Sequence, residues 1–358
     1  MTALDVVIMA AGKGTRMKSS MPKVLHPLAG KPLVQHVIDT AHALHTRHTI
    51  LITGHGAEVV EPLLQKAYPQ KALQFAKQMP QLGTGHAVQQ ALPLLDDDGV
   101  VVILSGDVPL TQADTLQALI KACDGKNLAL LTIDFEDPTG YGRIVRGFDH
   151  QVHDIIEHKD ANELQLEIKE IYSGIMAVPA KWLKKWLPQL KNDNAQKEFY
   201  LTDVVRMAVS DHVKVVAHKI TDAAQVAGIN SPLQLAELER IYQTRQAHAL
   251  LAQGVRIIDP ARIDLRGTLT CQEDVLIDIN CIFEGRVQLG VGVHIGAHCV
   301  IANCVIEDGA VILPFTHIDG ELQGITVGKG ARVGPYARLR PGAQLGSDVH
   351  VGNFVEIK

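Results

Sequence analysis

Hydrophobic and polar positions follow two different periods along the chain. Over residues 1 to about 228, short apolar runs alternate with stretches in which apolar residues recur at helical spacing. This alternation is typical of an α/β layer built around a mostly parallel sheet. The predicted buried strands cover residues 5–9, 49–53, 100–104, 128–133 and 175–178. The predicted helices cover 33–44, a segment that starts near Gly85, and 111–123.

Residues 231–253 carry the signals of a single long helix. Ser231 is a suitable N-cap, Pro232 suits the first helical position, and Gly254 suits the residue after the last turn. An apolar stripe along this helix would consist of Leu235, Leu238, Tyr242 and Leu250. We therefore predict a first domain at 1–230, a linker helix at 231–253 and a second domain at 254–358.

Beyond this helix the apolar period becomes six. Every sixth position from 263 to 311 is apolar, and a second row two residues further on is apolar except at Glu307. After an interruption at 317–323, a shifted register resumes at Ile325 and continues to Val355. A six-residue repeat is the signature of a parallel β-helix, in which each repeat forms one face of a coil. The predicted fold class is therefore α/β, followed by a parallel β-helix.

The repeat reaches Lys358 without a polar capping segment. An open solenoid end exposes stacked apolar residues and unpaired strand edges. We therefore expect that the chain is a piece of a longer protein, or that a partner covers this end.

Composition narrows the possible functions. The 358 residues carry a formal net charge of −5, which argues against a broad surface for nucleic acid or anionic membrane. An anionic substrate must then be held by local cations. No segment has the roughly eighteen apolar residues of a membrane span, and residues 1–14 lack a signal-peptide pattern, so we expect a cytoplasmic protein. The five cysteines lack metal-site spacing, and we expect them to pack as small apolar residues.

A loop of small and basic residues follows the first predicted strand. Its small residues bring the backbone close to a ligand: Ala10, Ala11, Gly12 and Gly14. Three cations surround it: Lys13, Arg16 and Lys23. Such a cradle suits a triphosphate. The alternative is a tight turn with solvated basic residues, but the Thr-Arg-Met continuation and the following Pro-Lys favour phosphate binding. The pattern is neither a P-loop nor a dinucleotide-binding loop.

A carboxylate stands at the end of another predicted strand. VVVILSGDVPL ends its apolar run with Ser105, Gly106 and Asp107. Ligands of α/β sheets bind at the carboxyl ends of parallel strands, so Asp107 is a candidate Mg²⁺ ligand. The alternative role for Asp107 is to cap the following turn. In QMPQLGTGHA, the Gln78 amide suits a uracil edge and Gly83 permits close approach of a base, although this segment alone leaves the assignment open.

Six motifs occur together in a fixed order: MAAGKGTRM…PK, QLGTGHA, GDVPL, DPTGYGRI, IEHKDA and GIN. With the hexapeptide repeats that follow, they resemble the bacterial bifunctional N-acetylglucosamine-1-phosphate uridyltransferase / glucosamine-1-phosphate acetyltransferase family. The resemblance covers essentially the whole chain. It implies a Rossmann-like nucleotidyltransferase domain, a connecting helix, a left-handed β-helix and assembly as a homotrimer.

By this resemblance, the first domain binds UTP. The implied nucleotide contacts are Met9, Ala10, Ala11, Gly12, Lys23, Gln78, Gly83, Thr84, Ser105, Gly106 and Asp107. Gln78, Gly83 and Thr84 would hold the uracil, and Ser105 to Asp107 would lie near the ribose and the metal. Arg16 would stabilise the phosphates undergoing transfer. The implied catalytic set is therefore Arg16, Lys23 and Asp107.

The resemblance also implies a site for the sugar. Its residues would be Gly142, Glu157, Tyr172 and Asn230. Asn230 would in addition join Asp107 as the second protein ligand of Mg²⁺. Two positions depart from the family pattern, because Ser105 stands where an aromatic residue is often found and Tyr172 stands where Asn is common.

The implied reaction is attack of N-acetylglucosamine 1-phosphate on UTP, which gives UDP-N-acetylglucosamine and pyrophosphate. The second activity of the family transfers an acetyl group from acetyl-CoA to glucosamine 1-phosphate. Arg340 and Lys358 match residues that bind this sugar phosphate. The catalytic histidine and the acetyl-CoA contacts of the family would lie beyond Lys358. We therefore expect this polypeptide to lack acetyltransferase activity that its full-length parent has.

Two other functions fit parts of the sequence. A glucose-1-phosphate uridylyl- or thymidylyltransferase would have the same first domain, but such enzymes usually lack a long hexapeptide domain. An assembly scaffold with an inert first domain is the other alternative. The intact set of Arg16, Lys23, Asp107 and Asn230 argues against a scaffold.

Overall fold

The computed structural model describes residues 3–69 and 73–358. The chain packs as two compact units. The first contains the chain up to His26 and Pro32–Gln234, and the second contains Pro27–Lys31 and Leu235–Lys358. The predicted domain limits at 230 and 254 stay a prediction.

The first unit is built on a mostly parallel sheet. In the described residues the strands before the long helix are β1 Leu4–Met9, β2 Pro27–Leu28, β3 Lys31–Pro32, β4 His48–Thr53, β5 Leu73–Lys77, β6 Val100–Ser105, β7 Leu128–Asp134, β8 Arg143–Arg146, β9 Val152–Ile156, β10 Glu170–Pro179 and β11 Val215–Lys219. The sheet order is β11-β7-β10-β6-β1-β4-β5, with β8 paired to β10 and β9 paired to β8. All five predicted strands are confirmed. The long strand β10 runs antiparallel to both β6 and β7, which the sequence did not predict.

Helices cover both faces of this sheet. The α-helices of the described residues are α1 Leu33–Ala43, α2 Ala57–Ala67, α3 Thr84–Gln89, α4 Ala113–Cys123, α5 Glu163–Leu166, α6 Ala180–Trp186, α7 Asp203–Ser210 and α8 Pro232–Ala252. Strand β1 shows why the central strands are continuous apolar runs. Val7 belongs to one buried core, whereas Val6 and Ile8 belong to the core on the other face. Strands that are buried on both faces need apolar residues at every position.

The register of the sheet brings the ends of β1 and β6 together. Met9 pairs with Ser105, and the Gly106 amide donates a 2.9 Å hydrogen bond to the Met9 carbonyl oxygen. The loops that follow these two strands therefore start side by side. Both strands are parallel, so their carboxyl ends lie at the same edge, where α/β sheets bind ligands.

The long helix α8 begins at Pro232, as predicted, and ends at Ala252, one residue before the predicted end at 253. The Ser231 hydroxyl accepts a 3.3 Å hydrogen bond from the Gln234 amide, as an N-cap does. Leu238 and Leu250 of the predicted stripe are buried. Gln243 is also buried, and its side-chain amide bonds both the amide and the carbonyl of Leu265 in the second unit. A polar residue inside the apolar stripe is therefore satisfied by an adjacent backbone.

The second unit contains the β-helix. Its strands are β12 Arg256–Ile257, β13 Ile263–Cys271, β14 Leu276–Ile277, β15 Cys281–Leu289, β16 His294–Ile295, β17 Val300–Ile306, β18 Val311–Ile312, β19 His317–Asp319, β20 Ile325–Val327, β21 Arg332–Val333, β22 Arg338–Leu339, β23 Gln344–Leu345, β24 His350–Val351 and β25 Glu356–Ile357. Each pairs in parallel with its counterpart on the next coil. The predicted parallel β-helix, with a left-handed hexapeptide-repeat fold, is confirmed.

The predicted core positions of the six-residue repeat were wrong at Val305, Val311 and Val355, which are not buried. Pairing shifts by one residue near Asn303, where Val287 faces Cys304 and not Val305. Consequently Val305 is 41% exposed, and the buried neighbours are Cys304 and Ile306. The same shift leaves Val311 only partly buried, between buried Ala310 and Ile312. One coil has one residue fewer than a strict repeat of six requires. A count that keeps to six therefore assigns the wrong residues to the core after this point.

The predicted interruption at 317–323 was partly wrong, because His317–Asp319 form strand β19, in which Ile318 is buried, and only residues 320–324 form an enlarged turn. It lies between β19 and β20, and Ile325 is buried where the register resumes.

The cysteines behave as expected, since all five are free and Cys281 and Cys299 belong to the β-helix core. Among residues 3–69 and 73–358, no helix combines the length and apolar character that a membrane crossing requires.

Candidate active site

The loop after β1 forms one wall of a cavity of about 270 Å³. The backbone is anchored at its start, because the Ala10 amide donates a 2.8 Å hydrogen bond to the Ile52 carbonyl oxygen. Gly12 then faces open space, because apart from its chain neighbours no described residue has an atom within 4 Å of where a Cβ would stand. Two residues later, Gly14 adopts a left-handed φ of 60°, which favours glycine. This loop therefore presents exposed backbone to the cavity.

Gly14 also makes room for Lys23. A Cβ on Gly14 would lie 2.5 Å from Lys23 Cβ, which is too close for any side chain. Glycine at this position therefore lets the Lys23 side chain cross the loop and reach the end of β6. Lys13 and Arg16, the other two cations of the loop, are exposed.

Four predicted residues meet at the end of β6. The Lys23 ammonium donates to Asp107 Oδ2 and, over 3.1 Å, to Asn230 Oδ1. The Ser105 hydroxyl donates a 2.6 Å hydrogen bond to Asp107 Oδ1. Both oxygens of the Asp107 carboxylate are thus held in fixed directions. The predicted metal ligands, Asp107 and Asn230, share one cationic neighbour.

Asn230 reaches this point because its backbone is tied to the same loop. The Ile229 amide donates a 3.0 Å hydrogen bond to the Asp107 carbonyl oxygen. The backbone N–H of Asn230 donates a 2.8 Å hydrogen bond to Gln234 Oε1, in the first turn of α8. The segment GIN, distant in sequence from GDVPL, is therefore joined to it by the first of these hydrogen bonds and to the start of α8 by the second.

Most of the predicted nucleotide-binding residues line the smaller cavity. Its lining includes Met9, Ala10, Ala11, Gly12, Lys23, Gln78, Gly83, Thr84, Ser105 and Asp107. Gly106 does not line it, because its amide is bonded to the Met9 carbonyl oxygen beneath the surface. Gln78 is buried, and its amide nitrogen lies 2.9 Å from the Gly83 carbonyl oxygen and 3.2 Å from His86 Nδ1. The donor side of Gln78 thus holds the Gly83 loop.

A second cavity, of about 480 Å³, adjoins the first. The two share Met9, Thr84 and Ser105 in their linings. The larger one is also lined by the remaining predicted residues, Arg16, Gly142, Glu157, Tyr172 and Asn230. The predicted nucleotide and sugar residues therefore fall into two neighbouring chambers, with the Asp107 and Asn230 pair between them.

The larger cavity contains two polar groups with perturbed acidity. Burial raises the pKa of Glu157 above its usual value, although a 3.0 Å hydrogen bond from the Thr202 hydroxyl acts in the opposite direction. Burial raises the pKa of Tyr172 well above its usual value, and the nearby Glu157 contributes to this. The Tyr172 hydroxyl has no hydrogen-bond partner in the described residues, and the residue is only 7% exposed. An unsatisfied buried hydroxyl in a cavity wall can pair with a ligand.

Sequence reasoning missed two residues that hold this cavity together. Thr202 orients Glu157 across a separation of 45 residues, and Arg143 is buried behind the Gly142 backbone. The motif TGYGR contained Arg143, but nothing in the pattern indicated that its side chain points inward. A neighbouring cavity of about 530 Å³ also touches Glu157, and its carboxylates outnumber its two cations, Lys191 and Arg206.

The two residues matched to the acetyltransferase lie on the β-helix. The Arg340 amide donates a 2.9 Å hydrogen bond to the Ile357 carbonyl oxygen, so Arg340 and Lys358 occupy equivalent places on successive coils. An Arg340 Nη1 atom lies 3.7 Å from Glu356 Oε1.

Family models match both parts of the chain. Residues 6–256 match the MobA-like NTP transferase domain, and residues 324–358 match the bacterial transferase hexapeptide of six repeats. The first match covers the sheet and both cavities. It identifies the chemistry of this unit as nucleotidyl transfer.

Whole-chain relatives share much of the sequence. The bifunctional protein GlmU of Paracidovorax citrulli is 63% identical over 367 residues, a match that covers 100% of this chain and 77% of the relative. The bifunctional protein GlmU of Polaromonas naphthalenivorans is 64% identical over 361 residues, covering 99% and 76%. That of Cupriavidus taiwanensis is 53% identical, covering 99% and 76%.

Solved structures resemble the fold at much lower identity. UDP-glucose pyrophosphorylase in complex with UDP-glucose superimposes with a TM-score of 0.56 at 16% identity, covering 68% of this chain and 99% of that one. This likeness concerns the fold alone. On the evidence of its two domain matches and its full-length relatives, the chain belongs to the bifunctional GlmU family and is a nucleotidyltransferase enzyme.

Proposed function

We propose that this chain transfers UMP from UTP to N-acetylglucosamine 1-phosphate in the presence of Mg²⁺. An oxygen of the sugar phosphate attacks the α-phosphorus of UTP. The new P–O bond gives UDP-N-acetylglucosamine, and the bond to the β-phosphate breaks so that pyrophosphate leaves with its electron pair. No covalent enzyme intermediate is needed.

The observation that carries this proposal is the pair of adjoining cavities. Their shared wall of Met9, Thr84 and Ser105 lies at the carboxyl end of β1, β6 and the following loops. Two substrates that bind on either side of this wall have their reacting groups close together. Holding both reactants in this way removes much of the entropic cost of a reaction between two molecules. The resemblance to bifunctional GlmU proteins at 63–64% identity supports the choice of substrates.

The donor atoms between the cavities suit a divalent cation. Asp107 offers a carboxylate and Asn230 an amide oxygen, and the Lys23 ammonium already lies against both oxygens. Hard oxygen ligands, few in number and completed by phosphate and water, are what Mg²⁺ prefers. Among the described residues, no group of three or more His, Cys, Asp or Glu side chains is arranged to hold a metal ion. When bound, Mg²⁺ would offset negative charge on the phosphates.

Basic side chains of the first loop neutralise the rest of the charge. Lys23 lies in the smaller cavity and Arg16 lines the larger one. Negative charge moves onto the leaving pyrophosphate in the transition state, so fixed cations on both sides stabilise it more than the ground state. The exposed Gly12 backbone adds N–H donors without side-chain bulk.

The sugar is held by the far wall of the larger cavity. Glu157 accepts hydrogen bonds from sugar N–H or O–H groups, and Thr202 keeps its carboxyl in place. The unpartnered Tyr172 hydroxyl makes a direct contact with the sugar and so replaces the Asn that is common at this position. Gly142 lets the sugar approach the backbone.

The homotrimer, the cytoplasmic location and the lack of acetyltransferase activity in this polypeptide stay predictions. The trimer is measured by light scattering coupled to size-exclusion chromatography. The missing acetyltransferase activity is measured as CoA release from acetyl-CoA with glucosamine 1-phosphate, for which Arg340 and Lys358 offer cationic contacts.

Pyrophosphate release tests the proposed reaction. The purified chain is assayed with UTP and Mg²⁺ and, in parallel, with N-acetylglucosamine 1-phosphate, glucose 1-phosphate or glucosamine 1-phosphate; dTTP replaces UTP in a second series. We expect the highest kcat/KM for UTP with N-acetylglucosamine 1-phosphate. Preference for glucose 1-phosphate would assign a glucose-1-phosphate nucleotidyltransferase, and absence of release with every pair would support the scaffold.

A further inference from the structure

Arg143 is a buried cation outside both cavities. It begins strand β8, and only 1% of the residue is exposed. Its Nη1 donates to the Tyr141 carbonyl oxygen, and its Nη2 lies 3.4 Å from His158 Nδ1. The Nε donor has no hydrogen-bond partner, and in the part of the chain that the structure describes the guanidinium forms no ion pair, although Asp137 attracts it from a longer distance.

A contribution to folding stability does not account for the buried Arg143 guanidinium. Burial of a guanidinium without a carboxylate partner costs free energy, and an apolar side chain of similar length would fill the same space without that cost. The presence of Arg143 is better explained by what its two contacts hold in place.

Both contacts lie next to residues of the larger cavity. Tyr141 precedes Gly142, and His158 follows Glu157, so the guanidinium joins the motif TGYGR to the motif EHK from behind. Gly142 and Glu157 both line the cavity. The two residues are near neighbours, because a Cβ on Gly142 would lie 3.8 Å from Glu157 Cδ, and Ile155 Cγ2, at 2.8 Å from the same position, leaves no room for a side chain there.

Resting on the proposed function, we propose that Arg143 is a positioning residue for the sugar 1-phosphate. It sets the distance between the Gly142 backbone and the Glu157 carboxyl and thereby controls affinity for the sugar without touching it. The contact with His158 requires a lone pair on Nδ1, so His158 takes the tautomer with its proton on Nε2. The nucleotide side of the site does not depend on this link.

The test compares Arg143→Met, Arg143→Lys and His158→Leu, with Arg146→Met as the matched control. Arg146 lies on the same strand, but its guanidinium pairs with Glu170 and it lines neither cavity. For Arg143→Met we expect the KM for N-acetylglucosamine 1-phosphate to rise on the order of 10-fold, because a small displacement at a binding group has large effects. The kcat and the KM for UTP should change less than about 2-fold.

The other variants separate positioning from general damage. Arg143→Lys keeps the charge and one of the two contacts, so its KM should lie between those of wild type and Arg143→Met. His158→Leu should raise the same KM, and the double variant should raise it less than the two single effects combined. Arg146→Met should leave the KM for the sugar unchanged.

Two results would overturn the proposal. One is an unchanged sugar KM in both Arg143→Met and His158→Leu. The other is an equal loss in kcat and in both KM values. If thermal unfolding shows that Arg143→Met does not fold, the proposal is decided by the KM of His158→Leu for the sugar 1-phosphate. Wild-type turnover with glucose 1-phosphate but not with N-acetylglucosamine 1-phosphate would contradict the proposed function, and the Arg143 comparison would then be made with glucose 1-phosphate.

Discussion

The Ser105 hydroxyl lies 2.6 Å from Asp107 Oδ1 and donates a hydrogen bond to it. The other carboxylate oxygen, Oδ2, accepts from the Lys23 ammonium. Ser105 therefore directs one oxygen of Asp107 and leaves the second oriented toward the junction of the two cavities. The Ser105 side chain therefore orients the Asp107 carboxylate, which the main chain of Ser105 could not do.

Ser105→Ala should weaken catalysis without abolishing it. The variant loses one hydrogen bond to a charged group, while Lys23 still holds the carboxylate, so we expect kcat/KM to fall roughly 3- to 30-fold. The pyrophosphate-release assay measures this. Ser210→Ala, outside both cavity linings, serves as control. Unchanged kcat/KM in Ser105→Ala would show that the orientation of Oδ1 is unimportant.

Tyr172→Phe should separate folding from sugar binding. The hydroxyl is buried without a partner, so its removal should leave the free energy of unfolding unchanged or raise it by up to about 1 kcal/mol. If the hydroxyl bonds the sugar, the KM for N-acetylglucosamine 1-phosphate should rise roughly 3- to 10-fold. Thermal unfolding and steady-state kinetics on the same preparation measure both effects. An equal KM in the two proteins would remove Tyr172 from the sugar site.

Glu157 should make stability depend on pH. Burial raises its pKa, so between the ordinary and the raised value the folded state binds more protons than the unfolded state. The free energy of unfolding therefore falls as pH rises through that interval, and the loss persists above it.

Glu157→Gln has no titrating group at this position and should lack that fall. The difference in unfolding temperature, variant minus wild type, should become more positive as pH rises from about 4 toward neutrality. Glu163→Gln, which changes an exposed acid, should show no such trend. A difference that stays flat or declines with rising pH would contradict the assignment.

Stacked rings should stabilise the β-helix. Phe315 stacks on His298 with ring centroids 4.7 Å apart and on Tyr336 with centroids 5.0 Å apart. Each such pair contributes about 0.5–1.5 kcal/mol, so Phe315→Ala should lower the free energy of unfolding of this unit by about 1–3 kcal/mol. Denaturant unfolding measures this, with Leu322→Ala as control because Leu322 is fully exposed. Equal stability of the two variants would show that the stack is incidental.

Much of the fold followed from local pattern. Central strands that are buried on both faces are continuous apolar runs, and the β-helix repeats its core positions every six residues, so both were visible in the sequence. The antiparallel direction of β10 was not, because the direction of a buried strand depends on how the chain returns to the sheet and not on its composition. The short coil at Asn303 was missed because the residues on either side of it, such as Val305, are apolar too.

The site was predictable where it depended on backbone position. Met9, Ser105 and Asp107 stand at strand ends, and parallel strands bring such ends to one edge. Side-chain links over long separations were not predictable. The bond from Thr202 to Glu157 spans 45 residues and has no period or motif of its own. The inward direction of Arg143 likewise depends on tertiary packing.

The most direct test of the proposed mechanism is Asp107→Asn, followed by both Mn²⁺ binding and pyrophosphate release. The amide keeps the shape of the carboxylate and removes the charge that Lys23 and a divalent ion share. We predict weaker Mn²⁺ binding, measured by electron paramagnetic resonance, and a fall in turnover on the order of 10²–10³, with Asp114→Asn unaffected. Wild-type turnover and wild-type Mn²⁺ affinity in Asp107→Asn would contradict the account.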